Sequence, residues 1–171
     1  DIFIKAASMA LEVFPLINSS LVDGKIIEHK DINIGIATDT PQGLIVPVIH
    51  QTQSKTLLEI SGEAKQLIEK ARTGRLTASE ITGGTFTITN LGMFGIDSFT
   101  PIINPPEAAI LGINRLRQAP VLNGQKHEFV PVVTLSLSFD HRLIDGATGA
   151  RFLNKVKYFI ENPYFINIGH K

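Results

Sequence analysis

The chain reads as an α+β (mixed α/β) domain, with helices packed on one side of a mixed sheet. Three observations predict it. Apolar residues at helical spacing mark three separate stretches, strictly alternating residues mark several others, and the two kinds follow one another without βαβ regularity. Asp-Gly and Asn-Gly pairs between alternating runs add tight hairpins to the pattern.

In order, Phe3, Ala6, Ala7, Ala10, Leu11 and Phe14 form one face of a first helix, which Pro15 and Asn18-Ser19-Ser20 stop. Asp23-Gly24 turns a hairpin between Leu21-Val22 and Lys25-Ile26-Ile27-Glu28. Residues 32–37 alternate as a strand, and Pro41-Gln42-Gly43 is a turn. Residues 44–49 predict a buried strand whose Pro47 marks an edge or a bulge. Ser54 is expected to cap a long helix with Leu57, Ile60, Ala64, Leu67, Ile68 and Ala71 inward, ended by Gly74. Thr77-Ala78-Ser79-Glu80 makes a short helical turn. Residues 85–89 alternate, with Phe86 and Ile88 on one face and three threonine hydroxyls on the other. Residues 90–106, rich in Gly and Pro, form a long loop of the kind that carries function or docks on a neighbour. Residues 108–113 are a strand, Asn123-Gly124 a second hairpin turn, and residues 129–139 a long strand. The last helix, over 147–161, buries Phe152, Leu153, Val156, Phe159 and Ile160 and stops at Asn162-Pro163.

The composition sets bounds. In 171 residues, 43% are apolar and 19% charged, enough for one domain with a sizeable core and some apolar surface left for other subunits. The formal net charge is zero and no basic stripe interleaves with aromatics, so a nucleic-acid partner is not expected. The absence of cysteine excludes disulfides and thiolate chemistry from this chain. No apolar run reaches the ~18 residues of a membrane span. No repeat or signal peptide is visible, and the chain opens on Asp1 rather than Met, as a fragment of something longer would.

His141-Arg142-Leu143-Ile144-Asp145-Gly146 lies where a strand ends and a helix begins. A strand end is a rigid mount, and a neutral imidazole there can take a proton near neutral pH. Four residues on, Asp145 either caps the helix or holds an arginine, and Asp-Gly before a helix is commonly only a turn and a cap. His29, His50, His127 and His170 sit in turn-rich or polar segments and are expected to be solvated.

Four stretches carry a resemblance: Asp39-Thr40-Pro41-Gln42-Gly43-Leu44-Ile45-Val46-Pro47-Val48-Ile49, Gly84-Thr85-Phe86-Thr87-Ile88-Thr89-Asn90-Leu91-Gly92, Pro101-Ile102-Ile103-Asn104-Pro105-Pro106-Glu107-Ala108-Ala109-Ile110-Leu111-Gly112, and Ser136-Leu137-Ser138-Phe139-Asp140-His141-Arg142-Leu143-Ile144-Asp145-Gly146. In this order they resemble the catalytic (core) domain of dihydrolipoamide acyltransferases of 2-oxo acid dehydrogenase complexes, over essentially the whole chain. His-x-x-x-Asp-Gly alone also marks chloramphenicol acetyltransferases and condensation domains; the set of four is specific.

The resemblance implies a chloramphenicol-acetyltransferase-like two-layer sandwich that forms a homotrimer, with each active site in a channel between two subunits. Trimers then build a larger cage that works with 2-oxo acid decarboxylase and dihydrolipoamide dehydrogenase subunits. It implies an acyl group moved between the thiol of a lipoyl group, carried on a separate domain, and coenzyme A, with no metal. Residues 1–171 would be one catalytic domain truncated at its N-terminus, without the lipoyl and peripheral-subunit-binding domains. The truncation removes the upstream arginine that pairs with the motif aspartate in the family. The compartment implied is a bacterial cytoplasm or, alternatively, a mitochondrial matrix.

Thioester exchange between thiols needs a base, because a thiol is mostly protonated at neutral pH. The resemblance makes His141 that base and Thr89 the donor to the oxyanion; Thr87 shares its face but lies further from the strand end. Asp145 is implied to keep the histidine loop in shape, and Asp140 can hold Arg142. Leu44, Asn90, Ser138 and Gly146 are the candidates for lining the substrate channel. The 90–95 segment resembles pyruvate- and acetoin-type members, which points to acetyl. Two other readings are a small-molecule O-acetyltransferase and a cage scaffold without activity; the Pro-Gln-Gly and Asn-Pro-Pro segments disfavour the first, and the His141, Asp145 and Thr89 set the second.

Overall fold

The computed structural model describes residues 1–124 and 126–167. It opens with helix α1 (Ile2–Val13), whose Ile4, Ala6, Ala7, Ala10 and Leu11 are buried. Three alanines on one face let neighbours approach closely, and Pro15 then starts a single 3-10 turn. Strands β1 (Ser19–Val22) and β2 (Lys25–Glu28) pair as a two-stranded hairpin. Asp23 and Gly24 both take positive φ, 50° and 74°, the conformation that matches hairpin twist.

The main sheet has six strands. Strand β3 (Ile34–Thr40), β6 (Phe86–Asn90) and β7 (Ala109–Asn123) are parallel neighbours, and β8 (Lys126–Phe139) pairs antiparallel with β7. Strands β4 (Gly43–Ile45) and β5 (Val48–Ile49) both pair antiparallel with the free edge of β3. The single strand expected over 44–49 is therefore broken at Val46-Pro47. Proline has no N–H for the ladder, although its carbonyl still accepts from Ile36 N at 2.8 Å. Nor is that stretch uniformly buried: Val48 and Ile49 are in the core, but Leu44 is 72% exposed.

Helix α2 (Leu57–Arg72) is capped by Thr56, not Ser54. Thr56 has Glu59 three residues on, and the two make a reciprocal capping box: Glu59 N donates to Thr56 Oγ1 at 3.3 Å and Thr56 N to Glu59 Oε2 at 2.7 Å. Ser54 instead donates its hydroxyl to Gln51 O at 2.8 Å in the preceding turn. Gly74, with φ 66°, follows the helix end as expected.

The strands predicted over 108–113 and 129–139 belong to a longer hairpin, packed on the core towards Ala109 and Phe139, whose register shifts between Ile113 and Leu116. Outside that shift Leu116, Leu122 and Phe129 are exposed. Helix α3 (Gly146–Glu161) lays Phe152, Val156 and Phe159 on the sheet, and a short helix α4 (Tyr164–Asn167) follows. Phe152 meets Phe86 edge-on at 5.7 Å and Phe14 at 6.0 Å, tying α3 to β6 and to the end of α1. With α1, α2 and α3 packed into one core against this mixed sheet, the expected fold class holds.

Candidate active site

Two ends of the sheet hold the sequence-selected residues. At the first, β8 leaves its last pair, Phe139 with Ala109, and Asp140 N still donates to Ala108 O at 2.8 Å. The chain then turns: Leu143 N and Ile144 N both donate to Asp140 O at 3.0 Å, and their side chains are buried anchors. The Asp140 carboxylate accepts from Arg142 N and Nε at 3.0 and 2.9 Å on Oδ1 and from Nη2 at 2.5 Å on Oδ2. That guanidinium holds the Asp140 carboxyl below the usual carboxylate range. So the Asp140–Arg142 pair suggested by sequence exists, and it stiffens the turn that carries His141.

His141 itself is exposed. Its ring lies beside Phe139, with centroids 5.7 Å apart and planes tilted by 40°. Phe139 is in turn wedged against Gly149 of α3, where a Cβ would fall 2.6 Å from Cε1. Asp145 is the N-cap of α3: Oδ1 accepts from Thr148 N at 2.7 Å and Oδ2 from Thr148 Oγ1 at 3.1 Å. The Thr148 amide is the main reason its carboxyl is held low, and Arg151 helps by charge while its own guanidinium bonds Thr148 Oγ1 at 2.9 Å. The helix-cap reading of Asp145 is the one realised among the described residues. Gly146 opens α3, and Ser138 pairs with Ile110; both lie at this end.

The other end belongs to β6. Thr89 pairs with Ala37 and Gly112, is half-buried, and faces a cavity of about 330 Å³. Leu44 and Asn90 line it too, with Asp39, Arg72 and Met93. Asn90 spends its side-chain oxygen on Gly92 N at 2.8 Å, so it shapes the loop, and Gly92 packs where a Cβ would lie 2.6 Å from Asn114 O.

One copy of the chain does not bring the two ends together. Asp140 is level with Ala108, while Thr89 is level with Gly112 and two strands away. At ~3.3 Å per residue and ~4.8 Å per strand, the two backbones are roughly 16 Å apart. Among the sequence-selected residues, Thr89, Asn90 and Leu44 therefore form one cluster and His141, Asp145, Gly146 and Ser138 another.

Other histidines partly depart from expectation. His29 is half-buried and shares a hydrogen bond with Ser20 Oγ at 2.8 Å, because the first hairpin folds β1 back onto it. His50 Nε2 reaches Ser79 O at 3.1 Å and is also half-buried; His127 is exposed, and His170 lies outside the described residues. The sequence also gave no weight to Glu107 as an ionisable group. It is buried, and desolvation pushes its carboxyl up to about 7. The available signal was its position between Pro105-Pro106 and the apolar run from Ala108. No cluster of three metal-ligating side chains occurs among the described residues.

Comparison with known proteins places the chain in a family. The 2-oxoacid dehydrogenases acyltransferase (catalytic domain) family matches residues 1–168. The dihydrolipoyllysine-residue acetyltransferase component of the Staphylococcus aureus pyruvate dehydrogenase complex is 47% identical over 162 residues, 94% of this chain and 38% of that protein. The Haemophilus influenzae counterpart is 49% identical over 154 residues, 88% of this chain and 27% of that protein. This chain thus spans well under half the length of these relatives. The Azotobacter vinelandii dihydrolipoamide acetyltransferase, studied for the roles of a serine, a histidine and an asparagine in catalysis, superposes with a TM-score of 0.92 and 42% identity over 96% of this chain and 68% of that one. A chloramphenicol acetyltransferase shares the fold at a TM-score of 0.58 and 15% identity, over 92% of this chain and 75% of that one. By sequence and by fold, this chain belongs to the 2-oxoacid dehydrogenase acyltransferase catalytic-domain family.

Proposed function

We propose that this domain transfers an acetyl group between a lipoyl thiol and coenzyme A, as the core of a pyruvate dehydrogenase-type complex in a bacterial cytoplasm. One observation carries the reading. In the Azotobacter vinelandii enzyme the serine precedes the histidine by 52 residues and the asparagine follows it by 4. Thr89, His141 and Asp145 stand at the same separations here. Threonine keeps the hydroxyl, and aspartate keeps a side-chain oxygen for the helix cap. The named activities of the bacterial relatives support acetyl as the group and the complex as the setting.

His141 accepts the proton of the incoming thiol. The thiolate adds to the thioester carbonyl, and the oxyanion that forms accepts a hydrogen bond from the Thr89 hydroxyl. Collapse breaks the old carbon–sulfur bond, and the imidazolium returns its proton to the departing sulfur. Donor and acceptor are both thiols, so the same groups serve either direction. Leu44 and Asn90 line the chamber beside Thr89, and Ser138 and Gly146 flank His141. Because one copy separates the base from the hydroxyl, His141 works with Thr89 of a neighbour in a homotrimer, and trimers assemble into a larger cage that engages the decarboxylase and dihydrolipoamide dehydrogenase subunits.

The test is complementation in the full-length protein. His141→Ala and Thr89→Ala are each expected to lose nearly all acetyl transfer to coenzyme A. Co-assembled in equal amounts, they should recover about a quarter of wild-type turnover, since a quarter of randomly formed two-subunit sites hold both intact groups. No recovery from a mixed assembly would falsify the shared site.

A further inference from the structure

Between the start of β6 and the loop that leads into β7, the fold buries a carboxyl group that acyl transfer does not use. Glu107 is 5% exposed and Thr87 1%. Glu107 Oε1 accepts from Asn104 Nδ2 at 3.1 Å, and the missing side chain of Gly84 makes room for it, a Cβ there falling 3.0 Å from Oε1. The Thr87 hydroxyl stands beside the carboxyl, close enough to influence its titration but at the margin of hydrogen-bond geometry. Glu107 Oε2 and Thr87 Oγ1 are both sealed from solvent without a partner.

A carboxylate in this place would be buried with only neutral groups near it, the Asn104 amide and the Thr87 hydroxyl, a costly arrangement. A single proton repairs it. Placed on Oε2, it makes an O–H that donates to Thr87 Oγ1, while Oε1 goes on accepting from Asn104. Both orphaned atoms are satisfied at once.

Among the described residues the surroundings offer no counter-charge in contact. The Ser20 backbone of the first hairpin bridges to Glu107, and His29 lies behind it, bonded to Ser20 Oγ. Lys30 and Asp31 line an outer hollow with Gly84 and Pro106. His50 sits against Gly83, and Asp140, whose amide bonds Ala108, gives its carboxylate to Arg142. The wall from β4 and β5 is apolar, with Ile45 and Val48. Burial is accordingly the leading cause of the raised Glu107 value, opposed by Thr87 and Asn104.

We propose that Glu107 is a positioning residue: as a neutral acid it clasps the loop over 104–106 to β6 through Thr87, and so holds Thr89, two residues further along the strand, at the cavity. The inference rests on the reading of Thr89 as the hydroxyl that meets substrate. Unfolded, the carboxyl titrates at its ordinary 4.5; folded, at about 7. The fold binds the proton more tightly, so the contribution is complete below the unfolded value. It is lost as pH rises from 4.5 towards 7 and is constant above that. Within the window the folding equilibrium constant should fall by roughly tenfold per pH unit.

The experiment uses the full-length, lipoyl-bearing protein. Unfolding midpoints are followed across that window for the wild type, Glu107→Gln and Thr87→Val. Gln keeps the shape and supplies N–H donors at every pH, so it should flatten the slope. Infrared difference spectra of wild type against Glu107→Gln should show a protonated carboxyl stretch near pH 6 that fades by about pH 8. In acyl transfer, Thr87→Val and Glu107→Leu should each lower kcat about tenfold with KM unchanged, and Glu107→Gln should rescue kcat and abolish the alkaline fall that wild type shows as Glu107 ionises. A wild-type slope in Glu107→Gln, or no carboxylic acid band, overturns the proposal. A flattened slope with unchanged kcat in Thr87→Val reduces Glu107 to a structural part and overturns the positioning role. If instead Thr89→Ala turns over normally while slope and band stand, the failure lies with the substrate role of Thr89 and not with the clasp.

Discussion

The two ends of the sheet are built on opposite plans. At the His141 end the turn is held by the Asp140–Arg142 pair and the buried Leu143 and Ile144, and the imidazole is left outside in the open. At the Thr89 end the hydroxyl is half-buried and walled by side chains from α1, α2 and the loop after β6. One end offers a base on a stiff mount with little around it. The other offers a chamber and a hydroxyl with no histidine lining it. On the proposed reading each half is chemically incomplete, and a neighbouring copy supplies what the other lacks.

Breaking the chamber end should have the larger effect. Thr89→Ala in the full-length protein is expected to lower kcat by ~10²–10³ with little change in KM, the signature of a contact made in the transition state. A rise in KM alone would move Thr89 from catalysis to binding. The mount can be broken indirectly through Gly149→Ala, whose new Cβ must displace the Phe139 ring that lies beside His141. Overpacking of this kind costs about 1–3 kcal/mol, read by chemical denaturation, and acyl transfer should fall as well. Full activity at reduced stability would show that the Phe139 ring does not set the imidazole.

The smallest effect is expected at the cap. Asp145→Ala should lower the thermal midpoint, whereas Asp145→Asn, which still accepts from Thr148, should lower it less. The Asp145 carboxyl is held below its ordinary 3.8, so its charged form stabilises the fold above that pH and the benefit is lost as pH falls through the folded value. The gap between wild type and Asp145→Ala should therefore narrow in acid. A gap that is constant with pH would mean that the cap works through geometry and not through charge.

Features governed by neighbours in sequence were legible before any coordinates. Asp23-Gly24 and Asn123-Gly124 turn hairpins because their own φ preferences demand it, and Gly24 and Gly124 have φ of 74° and 63°. Alternation over 85–89 put Phe86 and Ile88 in the core, and Ile88 is indeed 4% exposed. Sequence and structure differ where two local signals compete. Ser54 is the cap expected, but Thr56 has Glu59 three residues on and takes the cap through their reciprocal bonds. Pro47 marks a disturbance in the sequence, but whether it bulges or divides the strand depends on how β3 accepts the two pieces. His29 has turn-rich neighbours in sequence and Glu107 stands beside two prolines, yet the surroundings of both come from residues distant along the chain or turned inward by it.

The order of residues alone determined the family, most element types and the turns, and it singled out His141, Asp145 and Thr89 as the candidates for the site. These depend on short-range periodicity, on φ preferences and on which side chains can carry a proton. Only the tertiary structure decided that Asp145 caps a helix, that Glu107 is entombed beside Thr87, and that the His141 imidazole and the Thr89 hydroxyl sit at opposite ends of one sheet. Burial and distance are set by strand order and register, and the parallel pairing of β3, β6 and β7, strands far apart along the chain, leaves no local trace in the sequence.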